Sequence, residues 1–227
     1  MLLDVVIPAA GIGRRMKSSL PKQYLKIGNQ TILEHTINIF LHSPLISQII
    51  VAIRPDDDIF QTLPIASSPK IAKVAGGDER VNSVLNGLHQ STSEWVLVHD
   101  AARPCLSHRD LSALIQGGLT DNGAILAMPV RDTMKKADNC LNILKTEERK
   151  GLFHALTPQL FKRELLIQAI TQGIAQNLNI TDESSAMEFM GYKPKIIEGR
   201  SDNIKVTQPD DLAMAEFILE KLGHEKC

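Results

Sequence analysis

Aromatic residues and cysteine are scarce in this chain. Its 227 residues include one Trp, two Tyr and three Cys. So few aromatic rings argue against a stacking platform for single-stranded nucleic acid. The three cysteines, Cys105, Cys140 and Cys227, are odd in number and form no CxxC pair. This usage favours a reducing cytoplasm over a disulfide scaffold.

A charge excess of either sign is missing as well. Lys and Arg total 25 against 26 Asp and Glu, which gives a formal net charge of −1. Proteins that bind DNA or anionic membranes usually carry a strong basic excess, so neither partner is expected and any positive site must be local. No apolar run approaches the roughly 20 residues of a membrane span, and no basic leader precedes the apolar residues 2–10. We therefore expect a cytoplasmic protein.

The chain does contain an alternation of short β-branched apolar runs and amphipathic segments. Runs without strict polar alternation are typical of strands covered on both faces. Between them, Thr31 to Leu41 has helical spacing and begins with a Thr31/Glu34 capping box, and Ser107/Asp110 and Thr207/Asp210 have similar spacing. This order predicts one α/β domain over residues 1–227 with a mostly parallel sheet flanked by helices. The predicted strands are LDVVIP (3–8), QIIVAI (48–53), KIAKVA (70–75), WVLVHD (95–100), AILAMPV (124–130) and KPKIIEG (193–199).

Residues 131–159 interrupt this alternation. The segment is polar, has short β-like pieces and contains no convincing helix. Loops of this length inside a compact domain usually carry a function or their own structure. We interpret it as a β-arm that projects from the domain, with a charged, solvated hairpin as the alternative.

The segment PAAGIGRRM (8–16) directly follows the first predicted strand. In parallel α/β sheets ligands bind at the carboxyl ends of strands, and glycines let the backbone N–H groups approach them. A dinucleotide fingerprint would need a small residue where Met16 stands, and no Walker A sequence is present. The loop therefore predicts a polyphosphate site, although a plain glycine turn with solvated basic residues remains open. Its members are Gly11, Gly13, Arg14, Arg15, Lys17 and Lys22.

Seven blocks, taken together and in order, resemble the 2-C-methyl-D-erythritol 4-phosphate cytidylyltransferases of the non-mevalonate isoprenoid pathway. The resemblance implies a Rossmann-like nucleotidyltransferase fold and transfer of CMP from CTP to 2-C-methyl-D-erythritol 4-phosphate, with release of pyrophosphate. It also implies a homodimer joined through the arm. The blocks are PAAGIGRRM…PKQYL, GGDERVNSV (76–84), VHDAARP (98–104), PVRDTMK (129–135), HALTPQLF (154–161), ITDESSAME (180–188) and EGRSDNIKVTQPDDL (198–212).

The same resemblance assigns roles to individual residues. It implies that Arg15, Lys22 and Lys205 are catalytic, and that Lys205 contacts both substrates. Nucleotide binding falls to Pro8, Ala9, Ala10, Gly11, Gly13, Gly77, Asp78 and Ser83, with Arg80 as a plausible support. The second substrate would be bound by Arg103, Thr133, Arg149, Thr157 and Thr181.

Asp100 ends a hydrophobic strand, which is where an α/β site places a magnesium ligand, although a helix cap is the structural alternative. Asp202 is a weaker acidic candidate, and His99 is expected to be a packed strand-end residue. No Ser/His/Asp or Cys/His constellation stands out. None is required, because a phosphate monoester with a second pKa of about 6 is already mostly a dianion at neutral pH.

Three other functions are compatible with parts of this sequence. A cytidylyltransferase for another polyol phosphate, such as ribitol 5-phosphate, would share the same loop and chemistry. A catalytically silent nucleotide-binding protein would be expected to lose its cations near the α-phosphate, whereas Arg15, Lys22 and Lys205 are present. A nicotinamide oxidoreductase is disfavoured by Met16 in the glycine loop.

Overall fold

The computed structural model describes residues 1–11 and 20–224. Its strands are β1 Leu3–Pro8, β2 Lys26–Ile27, β3 Gln30–Thr31, β4 Ile46–Ile53, β5 Ile71–Ala75, β6 Trp95–Val98, β7 Ala124–Pro129, β8 Met134–Ala137, β9 Ile143–Glu147, β10 Phe153–Lys162 and β11 Lys195–Glu198. Its helices are α1 Ile32–Leu41, α2 Arg80–Gln90, α3 His108–Gly118, α4 Arg163–Ala175, α5 Glu183–Phe189 and α6 Asp210–His224.

Seven strands form the central sheet in the order β11-β7-β10-β6-β1-β4-β5. Every neighbouring pair is parallel except the two pairs made by β10, which runs antiparallel to both β6 and β7. The predicted α/β fold with a mostly parallel sheet flanked by helices is confirmed, and each of the six predicted runs contains a strand.

Among the strands of the central sheet, β10 is the one that the sequence did not predict, and the short pair β2–β3 outside that sheet was not predicted either. The first three residues of β10 are exposed, and burial begins only at Leu156. Pro158, which has no N–H to donate, lies where the register with β7 shifts between Ala155 and Gln159. The segment 131–159 therefore combines an exposed hairpin with the first part of a central strand.

Two apolar layers cover the sheet. Helix α1, with the buried Phe40, packs with α3 over one face. Helices α2, α4 and α5 cover the other face around Phe161 of β10. Burial of both faces explains why the strand sequences are continuous apolar runs rather than alternating ones.

The helix starts follow the predicted caps with one exception. Thr31 and Glu34 form the complete capping box of α1, and the Ser107 hydroxyl accepts from the Asp110 N–H at α3. Before α6, however, Thr207 donates both its N–H and its hydroxyl to Asp211, not to Asp210. The predicted Thr207/Asp210 pair was therefore wrong by one residue, because Asp211 is the acceptor.

Strands β8 and β9 form an antiparallel hairpin outside the central sheet. Almost all of its residues are exposed, including the large apolar side chains of Leu141, Ile143 and Leu144. Across the described ranges 1–11 and 20–224, no helix combines the length and hydrophobicity that crossing a membrane would need.

Candidate active site

A cleft with a volume of about 180 Å³ opens at the carboxyl ends of β1 and β6, and we call it the β1–β6 cleft. These ends meet at one edge of the sheet because the two strands are parallel neighbours. The loop after β5, which leads into α2, lines the same cleft. The residues with predicted roles that line the cleft are Pro8, Ala9, Ala10, Gly11, Lys22, Gly77, Asp78, Ser83, Asp100 and Lys205.

The wall predicted to face the nucleobase depends on a close backbone approach at Gly76. Its N–H donates to the Ile53 carbonyl at 2.6 Å, and a Cβ at this position would lie 2.3 Å from the Cβ of Ala10. Only glycine fits there. Next to it, the Gly77 N–H donates to the Ser83 hydroxyl at 3.0 Å, which ties the loop to helix α2.

Asp100 lies at the centre of a cationic cluster. Its Oδ1 accepts from Arg80 Nε at 3.1 Å, and its Oδ2 lies 2.8 Å from Lys205 Nζ and 3.5 Å from Arg103 Nε. Burial raises the pKa of Asp100, but the combined effect of Arg80, Lys205 and Arg103 is larger and holds that pKa well below its usual range. The carboxylate is therefore ionised, and it is not the cap of α3, which is Ser107.

His99 organises the buried side of the same loop. Its Nε2 lies 3.0 Å from the Arg103 carbonyl and its Nδ1 lies 3.0 Å from the Thr157 hydroxyl. Burial lowers the pKa of His99 to about 4, so the ring is neutral. A carbonyl can only accept, so Nε2 carries the proton, Nδ1 accepts from Thr157, and the Thr157 oxygen accepts from the Asp100 N–H at 3.1 Å. The Thr157 hydroxyl therefore donates one hydrogen bond and accepts another within the protein.

Lys22 begins a short 3-10 turn, Lys22–Tyr24, that is anchored by both of its other residues. Gln23 Nε2 donates to the Ala9 carbonyl at 2.7 Å, and the Tyr24 hydroxyl donates to Asp57 at 2.5 Å. Burial, with a further contribution from Asp57, raises the pKa of Tyr24. Lys22 Nζ in turn donates to the Val206 carbonyl at 3.3 Å, so it lies beside the residue that follows Lys205.

Hydrogen bonds on two sides join more distant segments to the cluster. Arg103 Nη1 donates to the Asn203 carbonyl at 2.7 Å, and Asn203 Nδ2 donates to the Thr157 carbonyl at 2.8 Å. On the other side, the outer nitrogens of Arg80 bind both carboxylate oxygens of the buried Glu183 at 2.6 and 3.2 Å. The loops that carry the cations are therefore fixed from both sides.

The sequence interpretation gave no role to Gln23 or Glu183 and named Arg80 only as a support. Gln23 and Arg80 line the cleft, and Glu183 holds Arg80 from behind. All three lie within the blocks PKQYL, GGDERVNSV and ITDESSAME, which is the signal that could have found them. Their roles follow from long-range pairing, which a local pattern does not contain.

Several residues with predicted roles are not part of the lining. Thr133 and Arg149 flank the hairpin and are exposed, and Arg149 donates to the Arg131 carbonyl. Thr181 is exposed just before α5. Asp202 is paired with Arg200 at 2.5 Å. Arg15 and Gly13, as well as Arg14 and Lys17, lie outside the described residues.

The donor set restricts how a metal ion could be held. Within the part of the chain that the structure describes, no group of three or more His, Cys, Asp or Glu side chains could hold one. Asp100, whose carboxylate is ionised, lines the cleft together with Asp78 and Glu79. Mg²⁺ in phosphate-processing sites is often held by one or two carboxylates together with substrate phosphates, and Asp100 fits that arrangement.

Comparisons with known proteins point to one family. The sequence profile of the 2-C-methyl-D-erythritol 4-phosphate cytidylyltransferase family matches residues 3–221. A curated relative with that name from Escherichia coli O139:H28 is 53% identical over 229 aligned positions, which cover 99% of this chain and 97% of the relative. A curated relative from Shigella boydii serotype 18 has the same name, identity and coverage.

Solved structures give the same result for the fold. The crystal structure of 2-C-methyl-D-erythritol 4-phosphate cytidylyltransferase from Francisella tularensis matches with a TM-score of 0.83 and 36% identity, covering 96% of this chain and 100% of that one. The Thermus thermophilus enzyme matches with a TM-score of 0.83 and 28% identity, covering 97% and 100%. With the profile covering nearly the whole chain, this protein belongs to the 2-C-methyl-D-erythritol 4-phosphate cytidylyltransferase family.

Proposed function

We propose that this chain transfers CMP from CTP to 2-C-methyl-D-erythritol 4-phosphate in the β1–β6 cleft. The products are 4-diphosphocytidyl-2-C-methyl-D-erythritol and pyrophosphate. One observation carries the assignment to this cleft: Lys22 and Lys205, which are far apart in sequence, both line it, and Lys22 donates to the carbonyl of Val206, the neighbour of Lys205. Such a pair of cations is what an attack of one phosphate on another needs.

The chemical step is a displacement at phosphorus. A phosphate oxygen of the acceptor forms a bond to the α-phosphorus of CTP, the bond from that phosphorus to the bridging oxygen breaks, and pyrophosphate leaves with the electron pair. The attacking phosphate is already mostly a dianion at neutral pH, so no base must remove a proton. His99 is buried and neutral, with both ring nitrogens engaged, and takes no part in proton transfer.

Charge neutralisation is then the main task of the protein. A cation 4 Å from an anion gains about 4 kcal/mol at an effective dielectric constant of 20. Lys22 approaches from the loop after β1, and Lys205 approaches from the segment before α6. Arg15, assigned by family resemblance, would add a third charge.

The nucleotide is bound largely by backbone. We assign the base to backbone groups around Pro8, Ala9 and Ala10 and to Gly77 and Asp78, with Ser83 behind them. We assign the phosphates to the glycine loop that begins at Gly11. The lack of a side chain at Gly76 supports this assignment, because it lets the loop after β5 approach Ala10 closely, and the lack of one at Gly77 leaves room for Asn82 of α2. Pro8 ends β1 and directs this loop into the cleft.

A divalent cation, Mg²⁺ in our proposal, belongs at Asp100. Nucleotidyltransferases generally use such ions, and Asp100 offers the ionised oxygen ligand that Mg²⁺ prefers. When bound, the ion would neutralise phosphate charge and help to orient the triphosphate. Arg103 and Lys205 keep the carboxylate in place.

The second substrate requires residues that lie away from the cleft. We propose that the enzyme is a homodimer in which the hairpin carries Thr133 and Arg149 of one copy to the cleft of the other. Thr181 would complete that side of the site, and Arg103 and Thr157, which are buried and bonded within the chain, would support it. The proposal is supported by the exposed apolar side chains Leu141, Ile143 and Leu144, because an isolated two-stranded hairpin is only marginally stable in water. We also place the enzyme in the cytoplasm, where its free cysteines remain reduced.

The decisive experiment measures pyrophosphate release from CTP with a panel of acceptors. 2-C-methyl-D-erythritol 4-phosphate, erythritol 4-phosphate and ribitol 5-phosphate are compared at equal concentration. We expect the methylerythritol phosphate to give the highest kcat/KM. A preference for ribitol 5-phosphate would assign the chain to another polyol, and no release with any acceptor would indicate a silent nucleotide-binding protein.

A further inference from the structure

Glu183 is the buried carboxylate that contacts the cationic cluster from outside the cleft. It is 2% exposed and stands at the first position of α5. Asp182, the N-cap of that helix, and Ser185 form a complete capping box, which fixes the backbone on both sides of Glu183. The carboxylate is therefore held in one place by its own helix.

Glu183 binds the two outer nitrogens of Arg80, at 2.6 and 3.2 Å. This bidentate pairing fixes the guanidinium in an orientation in which Nε is the nitrogen that donates to Asp100, to Oδ1 at 3.1 Å. Arg80 begins α2, so the pair also connects the helix that faces the nucleotide with the helix that follows Thr181. All three nitrogens of the guanidinium therefore donate to a carboxylate.

The geometry predicts what Arg80 would do without Glu183. Arginine prefers to bind a carboxylate with two parallel N–H groups, and the nearest other carboxylate is Asp100. A guanidinium turned fully onto Asp100 would occupy both of its oxygens. It would then compete with Lys205 and with a divalent ion for the same ligand.

We propose that Glu183 is a positioning residue that acts through Arg80. By holding the outer nitrogens of Arg80, it limits that arginine to one Asp100 oxygen and leaves the other for Lys205 and for the ion that arrives with the nucleotide. The inference rests on the proposed function, since it concerns the divalent cation of that same site. Glu183 itself touches neither substrate nor ion.

The test measures binding of Mn²⁺ to the protein in the presence of CTP, from the loss of the free Mn²⁺ signal in electron paramagnetic resonance. Glu183→Gln should raise the Mn²⁺ Kd at least about tenfold, the usual scale for losing a group that orients a metal ligand. The matched control is Glu188→Gln on the same helix, where the carboxylate accepts from the Ser184 hydroxyl. That variant should change the Kd less than about twofold, far below the scale expected for Glu183.

The Arg80→Met background separates positioning from folding. If Glu183 acts only through Arg80, then Glu183→Gln should have no further effect on the Mn²⁺ Kd once Arg80 is replaced, because the coupled pair is already broken. A tenfold effect of Glu183→Gln in the Arg80→Met background would overturn the proposal. It can be measured even if the single Glu183→Gln variant fails to fold. The double variant buries no unpaired charge, and in the Arg80→Met reference the buried Glu183 carboxylate can become neutral by taking up a proton.

Two other results would also overturn it. A Glu183→Gln variant with a lower melting temperature but an unchanged Mn²⁺ Kd would make Glu183 a purely structural residue. Wild-type protein that binds CTP without Mn²⁺, yet releases pyrophosphate with the acceptor, would remove the ion from the site and leave the proposed reaction intact. Failure of the reaction itself is recognised separately, from the wild-type acceptor panel.

Discussion

The β1–β6 cleft and the β8–β9 hairpin carry different parts of the proposed site and are built in opposite ways. In the cleft, Asp100 is 7% exposed and contacts three cations from three different segments. On the hairpin, Leu141 is 86% exposed and Ile143 is 65% exposed. The strands of the hairpin pair only with each other within the described part of the chain.

This difference indicates which part of the catalyst one chain can build alone. The cleft places its charges by hydrogen bonds that are complete within a single copy, such as those of His99 and Thr157. The hairpin presents Thr133 and Arg149 without such a frame. We infer that the nucleotide half of the site is preorganised, and that the second half is assembled only when two copies meet.

The largest expected effect comes from removing a cation of the cleft. Lys205→Ala or Lys22→Ala should lower kcat at least about a hundredfold, because each removes a charge positioned for the transition state. Pyrophosphate release at saturating CTP and acceptor measures the loss.

Lys26→Ala is the matched control for Lys22. Lys26 lies four positions further along the same segment and is exposed, and it is absent from the lining of the cleft. Its replacement should leave kcat within about twofold, as expected for a surface substitution. Near wild-type turnover in both cleft variants would show that the chemistry takes place elsewhere.

The second effect concerns the buried frame of the cleft. The pKa of His99 is about 4 in the folded protein, against about 6.5 in an unfolded chain. The unfolded chain therefore binds the extra proton first as the pH falls. The neutral, buried His99 therefore stabilises the folded protein fully above about pH 6.5, and this stabilisation is lost as the pH falls towards 4. The free energy of unfolding should decrease by about 2 kcal/mol between pH 7 and 4.5.

Urea unfolding at the two pH values measures this loss. We expect His99→Gln to be less stable than wild type at pH 7 and to show a smaller difference between the two pH values. His42→Gln provides the control, because His42 is exposed and hydrogen-bonds only locally, to the Asn38 carbonyl, at 2.8 Å. An unchanged pH difference in His99→Gln would show that another group titrates.

The third effect tests the hairpin side of the comparison. Arg149→Ala should raise the KM for the acceptor about tenfold, the scale of one hydrogen bond between charged groups, with little change in the KM for CTP. A change confined to the KM for CTP would place Arg149 at the nucleotide instead.

Mixing two impaired variants, assayed at an acceptor concentration well below the KM, sharpens the same point. If Arg149 serves the cleft of the other copy, then Lys205→Ala and Arg149→Ala subunits form mixed dimers that contain one intact site. After unfolding and refolding in equal amounts, such a mixture should recover up to about a quarter of the wild-type activity, since half of the dimers are mixed. No recovery would place both residues in one subunit's site.

Much of the cleft could be predicted from the sequence because its residues follow strands. Runs such as LDVVIP and WVLVHD identify β1 and β6, and parallel neighbours must bring Gly11 and Asp100 to one edge of the sheet. The capping box at Thr31 is equally local. These features depend on short sequence distances and on general rules of sheet geometry.

What could not be predicted depends on long-range or register effects. Strand β10 begins with exposed residues and contains Pro158, so its pattern does not indicate a central strand. The Arg80–Glu183 pair joins two segments that no periodicity connects. Asp211 replaces the expected Asp210 at Thr207 because the carboxylate one residue later is the one that reaches both donors.

The smallest expected effect is that of Leu141→Ala, and it is compared with a buried leucine of the central sheet. Leu160→Ala removes a fully buried side chain of β10 and should cost about 2 to 5 kcal/mol of unfolding free energy. Leu141→Ala removes an exposed side chain and should stay within about 0.5 kcal/mol in dilute, monomeric protein. Urea unfolding at several protein concentrations measures both. If the hairpin is an interface between copies, the Leu141→Ala cost grows with concentration, whereas the Leu160→Ala cost does not, because only association adds a concentration term to stability. A concentration-independent Leu141→Ala cost would mean that the hairpin packs within its own chain.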